Sequence, residues 1–345
     1  MTAIGPASGR QDVGGAQVTD PDIVIATIMR EVGGSGVQSH VETLRSFAHT
    51  AGRPTTLVTP FSASSPLLRP VFAARLAVRL VSRPAGVWWY RHWHGHYLGT
   101  ALSARLRTTT GPAVVYAQDP VSASAALAVR TTEPVVMVVH FNVSQADEWA
   151  DKGELPRGGR TYASIRALEE DVLPRLDGLV YVSQFMRSVL EDRMPALRAL
   201  PGIVIPNCVA AIERPASEPV ADLVTVGALE PRKNQGYLLE VLAAAAQRGH
   251  RYSLTVIGDG PDRGRLERQA ARLGLTGQVS FAGYQADPRR LMAGHRLYCH
   301  TARMESFGIA LVEAMSEGLP VLAAPVGGIP EVVRPGVEGG GLAAC

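Results

Sequence analysis

Lysine is almost missing from this 345-residue sequence: of 34 basic residues only Lys152 and Lys233 are lysines, and arginine supplies the rest. With abundant Ala, Gly and Val this is the composition of a GC-rich bacterial gene, and in such a chain each lysine is a rare and informative residue. Cysteine is scarce too. Cys208, Cys299 and Cys345 are odd in number and form no C-x-x-C pair, which argues against a disulfide framework or a zinc site and for a reducing cytoplasm. Cys208 and Cys299 then read as small core residues. Neither sign of charge is in large excess: 34 basic against 31 acidic residues gives +3, unlike a dedicated nucleic-acid binder with its concentrated basic patch. Long apolar runs are lacking, and nothing approaches the roughly 20 residues of a membrane span. Residues 1–20 have no apolar segment of the secretory kind and read as a disordered extension.

What is present is ample apolar material, 46% hydrophobic against 19% charged, enough for sizeable cores. The length suits two domains better than one. Asp22 to Met29 is a β-branched run of strand length that ends at a glycine turn, Gly33-Gly34-Ser35-Gly36, followed by a helical pattern from Val37 to Thr50. Further strands read at Thr55–Thr59, Ala113–Ala117, Pro134–His140, Gly178–Val182 and Gly202–Ile205. Residues 61–84 carry Pro and Arg punctuation without a clear period, and Trp88 to Arg107 reads as an aromatic helix. The second half repeats the alternation, with strands at Leu223–Val226, Ser253–Ile257, Val279–Phe281, Leu297–His300 and Pro320–Ala323. Its helices read at Tyr237–Arg248, Gly264–Leu273 and Ile309–Glu317. Continuous apolar strands alternating with helices mean buried parallel sheets, here two α/β doubly wound domains with a boundary between Pro206 and Pro219. Ligands in such folds sit beyond the carboxyl ends of the strands.

Three stretches carry candidate chemistry. The first is the glycine turn, whose backbone N–H groups and helix dipole suit an anion. A dinucleotide fingerprint starting at Gly34 and Gly36 would need a third glycine where Ser39 stands, so an NAD site does not match. A tight turn without a ligand is the plain alternative. The second is Gly227-Ala228-Leu229-Glu230-Pro231-Arg232-Lys233-Asn234, between a strand and a helix. Arg232 offers a planar fork and Lys233 a compact charge, a pair able to neutralise a diphosphate; otherwise this is a solvated charged loop. The third is Glu305-Ser306-Phe307-Gly308 with Glu313 eight positions after Glu305. A helix N-terminus near Phe307 and Gly308 offers free N–H donors, and carboxylates accept hydrogen bonds from vicinal hydroxyls such as those of a sugar or ribose. Taken singly, Glu305 could be a helix cap and Glu313 a backbone-bonded buried carboxylate.

In combination these residues resemble the retaining family 4 glycosyltransferases of the GT-B fold, two Rossmann-like domains facing each other across a cleft. The likeness runs from Asp22 to about Gly341. It rests on Gly33 to His40 as a G-G-x-x-x-H-like loop, on Val114 to Pro120, on Val138-Val139-His140, on Val204-Ile205-Pro206-Asn207, on the P-R-K-N loop and on the E-x7-E pair of Glu305 and Glu313. The resemblance implies an acceptor-binding domain over 21–206 and a nucleotide-sugar domain over 207–345 that is shorter at its end than is usual in the family. It implies transfer of a sugar from a nucleotide diphosphate sugar, UDP-sugar being favoured, to the hydroxyl of a small-molecule or lipid-linked acceptor, without cofactor or metal. Arg232 and Lys233 would hold the leaving diphosphate, Glu305 the donor sugar and Glu313 the ribose. Ser306 and the N–H groups of Phe307 and Gly308 would assist, His140 would face the reacting sugar, and Gly33, Gly34 and Gly36 would approach the donor phosphate. Ala228 departs from the family, which often has a phosphate-binding arginine there. A sugar-nucleotide epimerase or hydrolase, and a non-catalytic nucleotide-sugar-binding protein, would use the same contacts.

Two features stand apart. His92, His94 and His96 would share a face only on a strand, and the helical reading scatters them. Their aromatic segment either packs on the first sheet or offers an acceptor or peripheral membrane surface. Asp119 and Glu148 could assist an acceptor hydroxyl.

Overall fold

The computed structural model describes residues 20–33, 35–210, 219–337 and 339–341. The expected extension over 1–20 and the glycine at position 34 therefore fall outside the described residues, save Asp20. The described residues form two six-stranded parallel sheets. The first contains β1 (Asp22–Ala26), β2 (Thr55–Val58), β3 (Ala113–Ala117), β4 (Val135–Val139), β5 (Gly178–Tyr181) and β6 (Gly202–Val204), in the order β2-β1-β3-β4-β5-β6. The second contains β7 (Ala221–Val226), β8 (Leu254–Ile257), β9 (Val279–Gly283), β10 (His295–His300), β11 (Val321–Ala323) and β12 (Gly339–Gly341), in the order β12-β11-β10-β7-β8-β9. The central strands β1, β3, β4, β5 and β8 are short, largely apolar runs that are mostly buried, as parallel sheets covered by helices require.

Helices on the first sheet are α1 (Gly36–Thr50), α2 (Leu68–Val81), α3 (Arg83–Arg107), α4 (Pro120–Val129), α5 (Gln145–Asp151), α6 (Arg160–Val172) and α7 (Gln184–Arg193). Those on the second are α8 (Gln235–Gln247), α9 (Arg263–Arg272), α10 (Pro288–Met292), α11 (Ile309–Ser316) and α12 (Ile329–Val332). Side-chain caps set many of their starts. Asp119 accepts from the N–H groups of Val121 and Ser122 at 2.9 Å, with Pro120 in the first turn, and so starts α4. Ser35 and Gln38 form a capping box at α1.

Strand β1 stops at Ala26 rather than Met29. Thr27 turns the chain, its Oγ1 accepting from the Met29 N–H at 3.1 Å. The stretch before residue 84 that lacks a clear period contains α2. Its period is obscured because apolar residues such as Leu76 and Leu80 also lie on its exposed face. Cys299 lies in a core as expected, but Cys208 is exposed, in the irregular run after β6 where exposed and half-buried residues alternate.

The two halves touch directly. Phe307, just before α11, is buried in the hydrophobic core of the first half, the cluster that also holds Phe141 and Val182. Burying a phenylalanine contributes about 2–3 kcal/mol to that contact. Glu331 on α12 accepts from the N–H groups of Gln184 (2.7 Å) and Phe185 (2.6 Å), capping α7 from the other half of the chain.

Candidate active site

A cavity of about 740 Å³ opens where the carboxyl ends of the two sheets face each other. Its lining includes Gln118 and His140 just past β3 and β4, Gly227 and Gly258 just past β7 and β8, and His300 ending β10. This is where a doubly wound fold places a ligand, and the volume is that of a small-molecule site.

Arg232 and Lys233 lie in a 3-10 turn, Pro231–Lys233, closed by Asn234 in the left-handed conformation (φ 55°) at the start of α8. The loop after β10 holds this turn in place: Thr301 donates to the carbonyls of Lys233 and Asn234 at 3.1 Å, and the Arg303 N–H to that of Arg232 at 2.9 Å. The two cations thereby meet Glu305. Lys233 Nζ donates to Glu305 Oε1, and Arg232 Nη1 approaches Oε2 at 3.4 Å. Arg232 also holds Glu230 through Nη2 at 2.9 Å. His300 Nε2 donates to Glu305 Oε1 at 3.1 Å, while its Nδ1 lies 3.1 Å from the Tyr298 hydroxyl, which donates to the Val226 carbonyl at 3.3 Å. The carboxylate, which only accepts, places the ring proton on Nε2, and burial keeps His300 uncharged by lowering its pKa. Burial alone would push the Glu305 carboxyl up. Lys233, His300 and Arg232 outweigh it and hold Glu305 well below the ordinary carboxylate range.

Backbone geometry supports this cluster. Gly327 has φ +59°, and a Cβ there would lie 1.9 Å from the Glu305 carbonyl oxygen, so only glycine lets the loop after β11 pass behind Glu305. Ser306 Oγ donates to the His140 carbonyl at 3.1 Å and its own carbonyl accepts from Ser183 at 2.7 Å, stitching the Glu305 loop to the first half. Gly308 takes φ +85° as N-cap of α11 and lines the cavity with Ser306 and Phe307. Glu313, one turn into α11, lines the same cavity and has no ion pair among the described residues. Burial first, then Asp287, pushes its carboxyl up to about 7 against the pull of Arg289.

On the opposite wall His140 Nε2 donates to Gln118 Oε1 at 3.0 Å, and the His40 ring meets its edge with centroids 4.8 Å apart. Burial, reinforced by His40, pushes His140 down to about 3, so it is neutral at physiological pH. Gly33 and Gly36 line the cavity beside Ser35. A Cβ on Gly36 would sit 3.2 Å from Ile309 Cγ2, so this glycine brings the first turn against the start of α11. The capping box satisfies the N–H groups of Ser35 and Gln38 internally, which leaves less of the turn free for an anion than the sequence suggested. The described candidates thus converge on one cavity.

Asp119 and Glu148 part company. Both line the cavity, but Asp119 is consumed by capping α4 and by Ser122 Oγ, whereas the Glu148 carboxyl is raised by burial and accepts from the Asn142 N–H at 3.2 Å. Glu230 and His300 were not singled out from sequence. Glu230 sits inside the P-R-K-N loop, and its role shows only once Arg232 folds back onto it. His94 is buried and stacks on Phe72 at 4.1 Å, whereas His92 and His96 are exposed, so the three do not converge. Among the described residues no group of three or more His, Cys, Asp or Glu could hold a metal ion.

Comparison with known proteins agrees with this geometry. The model of the family described as Glycosyltransferase Family 4 matches residues 34–211, and that of Glycosyl transferases group 1 matches residues 212–343. Among curated proteins the chain is similar to the lipopolysaccharide core biosynthesis glycosyltransferase LpsE of Rhizobium meliloti, 31% identical over 38% of this chain and 36% of that one. It is also similar to the D-inositol 3-phosphate glycosyltransferase of Nocardia farcinica, 35% identical over 33% of this chain and 27% of that one. The chain therefore spans only about a third of the length of these relatives. Among solved structures, HepE of Anabaena in complex with UDP-glucose superposes with a TM-score of 0.63 at 20% identity, covering 93% of this chain and 85% of that one. This likeness shows the GT-B fold.

Proposed function

The chain belongs to glycosyltransferase family 4, and from that premise we propose that it moves a sugar from a nucleotide diphosphate sugar to an acceptor hydroxyl with retained anomeric configuration. The observation that carries this reading is the convergence of Arg232, Lys233 and Glu305 at the carboxyl ends of two facing sheets. Departure of a nucleoside diphosphate builds negative charge, and a preorganised arginine and lysine in a recessed site stabilise that charge as it develops. In the free protein Glu305 holds both cations in place. When the diphosphate arrives, Lys233 and Arg232 turn to it, and the Glu305 carboxylate is released to accept from sugar hydroxyls. Glu313 would accept from the ribose. Neutral His140, oriented by Gln118, would face the reacting carbon without adding positive charge. UDP is the nucleotide we favour, on the strength of the HepE complex. The second sheet is then the donor half and the first the acceptor half, and the acceptor is a small molecule or a lipid-linked one.

The test is a thermal-shift panel with UDP, GDP, ADP and NAD in metal-free buffer, followed by NMR of the product anomer with the donor that binds. Stabilisation by one nucleoside diphosphate, and an axial product from an axial donor, would bear the reading out, because a ligand selective for the native state raises apparent stability. Stabilisation by NAD alone would overturn it. Sugar release at full rate without an acceptor would favour a hydrolase.

A further inference from the structure

Of the aromatic segment in α3, Tyr90 and Arg91 reach the cavity. Arg91 is 7% exposed and forms no ion pair among the described residues. A buried guanidinium without a bonded carboxylate costs stability. The acids whose field reaches it are engaged elsewhere. Asp119 caps α4, and Glu169 holds Arg193 at 2.8 Å together with the Ser144 hydroxyl and the Gln145 N–H. Arg91 Nη1 donates to the neutral Gln145 Oε1, and its Nη2 has no partner among the described residues. Asn142 Oδ1, on the same wall, is buried without a partner as well. The wall holds a second cation outside any described ion pair. Lys152, one of the two lysines of the chain, lies four positions after Glu148 at the end of α5, its Nζ 5.6 Å from the centre of the Trp149 ring. The Tyr90 and Trp149 rings stand 6.0 Å apart at 64°. None of these residues belongs to the Arg232–Lys233 seat.

We propose that this wall reads an oxyanion, a phosphate or a carboxylate, carried by the acceptor, with the Arg91 fork as its main contact and Lys152 as an outer charge. The proposal rests on the reading of the cavity as a glycosyltransferase site whose acceptor half is the first sheet. Gln145 Oε1 takes the place of the oxyanion in the free protein and yields it when the acceptor enters, since a guanidinium binds a charged planar acceptor through two N–H groups more strongly than one neutral amide. Asn142 Oδ1 then accepts from a hydroxyl of the same molecule, and Tyr90 and Trp149 flank its apolar faces. Two acids share the wall. Asp119 is spent on its helix, and Glu148 has its carboxyl raised by burial and bonded by the Asn142 N–H, so neither opposes an anion as an exposed carboxylate would.

The experiment is titration of the full chain, saturated with UDP, with inorganic phosphate and separately with malonate at constant ionic strength, read by calorimetry and thermal shift. Saturating UDP fills the diphosphate seat, so a second oxyanion reports from elsewhere. The wild type is compared with Arg91→Gln, Lys152→Ala and Gln145→Glu. The last supplies a carboxylate beside Arg91 from the chain itself. The expected result is saturable binding of at least one oxyanion, weakened about tenfold or more in Arg91→Gln and severalfold in Lys152→Ala. Gln145→Glu should abolish it and raise the melting temperature of the unliganded protein, and all three variants should keep UDP-induced stabilisation. The oxyanion that binds tells phosphate from carboxylate. Lys152 is exposed and Gln145→Glu adds a partner, so these two variants carry the test should Arg91→Gln fail to fold. Absence of binding by both oxyanions overturns the proposal. Equal binding by wild type and Gln145→Glu overturns it too, as does competition between oxyanion and UDP, which would place the anion in the donor half. Failure of UDP to stabilise the wild type would count against the glycosyltransferase reading alone, because the Arg91 and Gln145 dependence is read in the same way without it.

Discussion

Removing the Lys233 ammonium should strand the Glu305 carboxylate. The Glu305 side chain is 8% exposed and that of Lys233 16%, so the pair lies in the regime where breaking one partner costs about 3–5 kcal/mol. Arg232 at 3.4 Å and His300 at 3.1 Å remain to soften the loss, which brings the expected cost of Lys233→Ala down to about 2–3 kcal/mol. Glu305→Gln removes the charge that Lys233 compensates, so the double variant should cost less than the sum of the two single ones. Urea unfolding of the four proteins gives the coupling, expected at about 1–3 kcal/mol. The penalty also depends on pH. A carboxylate held below its unfolded pKa contributes stability above that value and loses it as pH falls through the folded value. The gap between wild type and Lys233→Ala should therefore be full at pH 7 and shrink below about pH 4, the unfolded range of a glutamate. A coupling under about 0.5 kcal/mol, or a gap independent of pH, would refute the claim that Lys233 and Glu305 form one electrostatic unit.

Other outcomes follow from the same geometry. Glu313 is raised to about 7, so its contribution is most favourable below its unfolded pKa and is lost as pH rises towards 7; Glu313→Gln should be more stable than wild type at pH 8 by about 1–3 kcal/mol, and indistinguishable from it near pH 4, by denaturant unfolding. Gly327→Ala would place a methyl group 1.9 Å from the Glu305 carbonyl oxygen at φ +59° and should cost at least about 2 kcal/mol while weakening nucleotide binding, read by unfolding and by calorimetry. Glu331→Ala removes the cap that α12 supplies to α7; a loss of about 1 kcal/mol is expected, with a larger radius of gyration by small-angle scattering as the halves separate.

The alternation of strands and helices was readable because buried parallel strands are short apolar runs. β3 falls on Ala113–Ala117 in both descriptions, and most other strand ends shift by a residue or two. α2 was not read from sequence: apolar residues such as Leu76 and Leu80 on its exposed face blur the inward stripe of Leu68, Val71, Phe72 and Val78, and its Pro70 and arginines resemble loop punctuation. Cys208 was misplaced because burial of a lone cysteine depends on the neighbours of an irregular segment, which sequence spacing does not encode. In the site, Arg232, Lys233, Glu305 and Glu313 were legible as charged residues at strand-to-helix turns. Glu230 and His300 were not, since their roles come from contacts with Arg232 and Glu305, two and five positions away, that form only once Arg232 and Glu305 are brought together across 73 positions. The capping box at Ser35 and Gln38 was in the sequence, but what it implies, N–H groups already satisfied in the glycine turn, appears only with the side chains in place.

The account turns on Lys233 and Arg232 as the seat of a nucleoside diphosphate. Calorimetric titration of UDP into the wild type and into Lys233→Ala, without metal and at physiological salt, tests that most directly. The expected result is saturable binding that weakens by about tenfold or more in the variant, as loss of a charge-assisted contact to phosphate implies. Binding of equal strength in both proteins would place the diphosphate elsewhere and contradict the assignment.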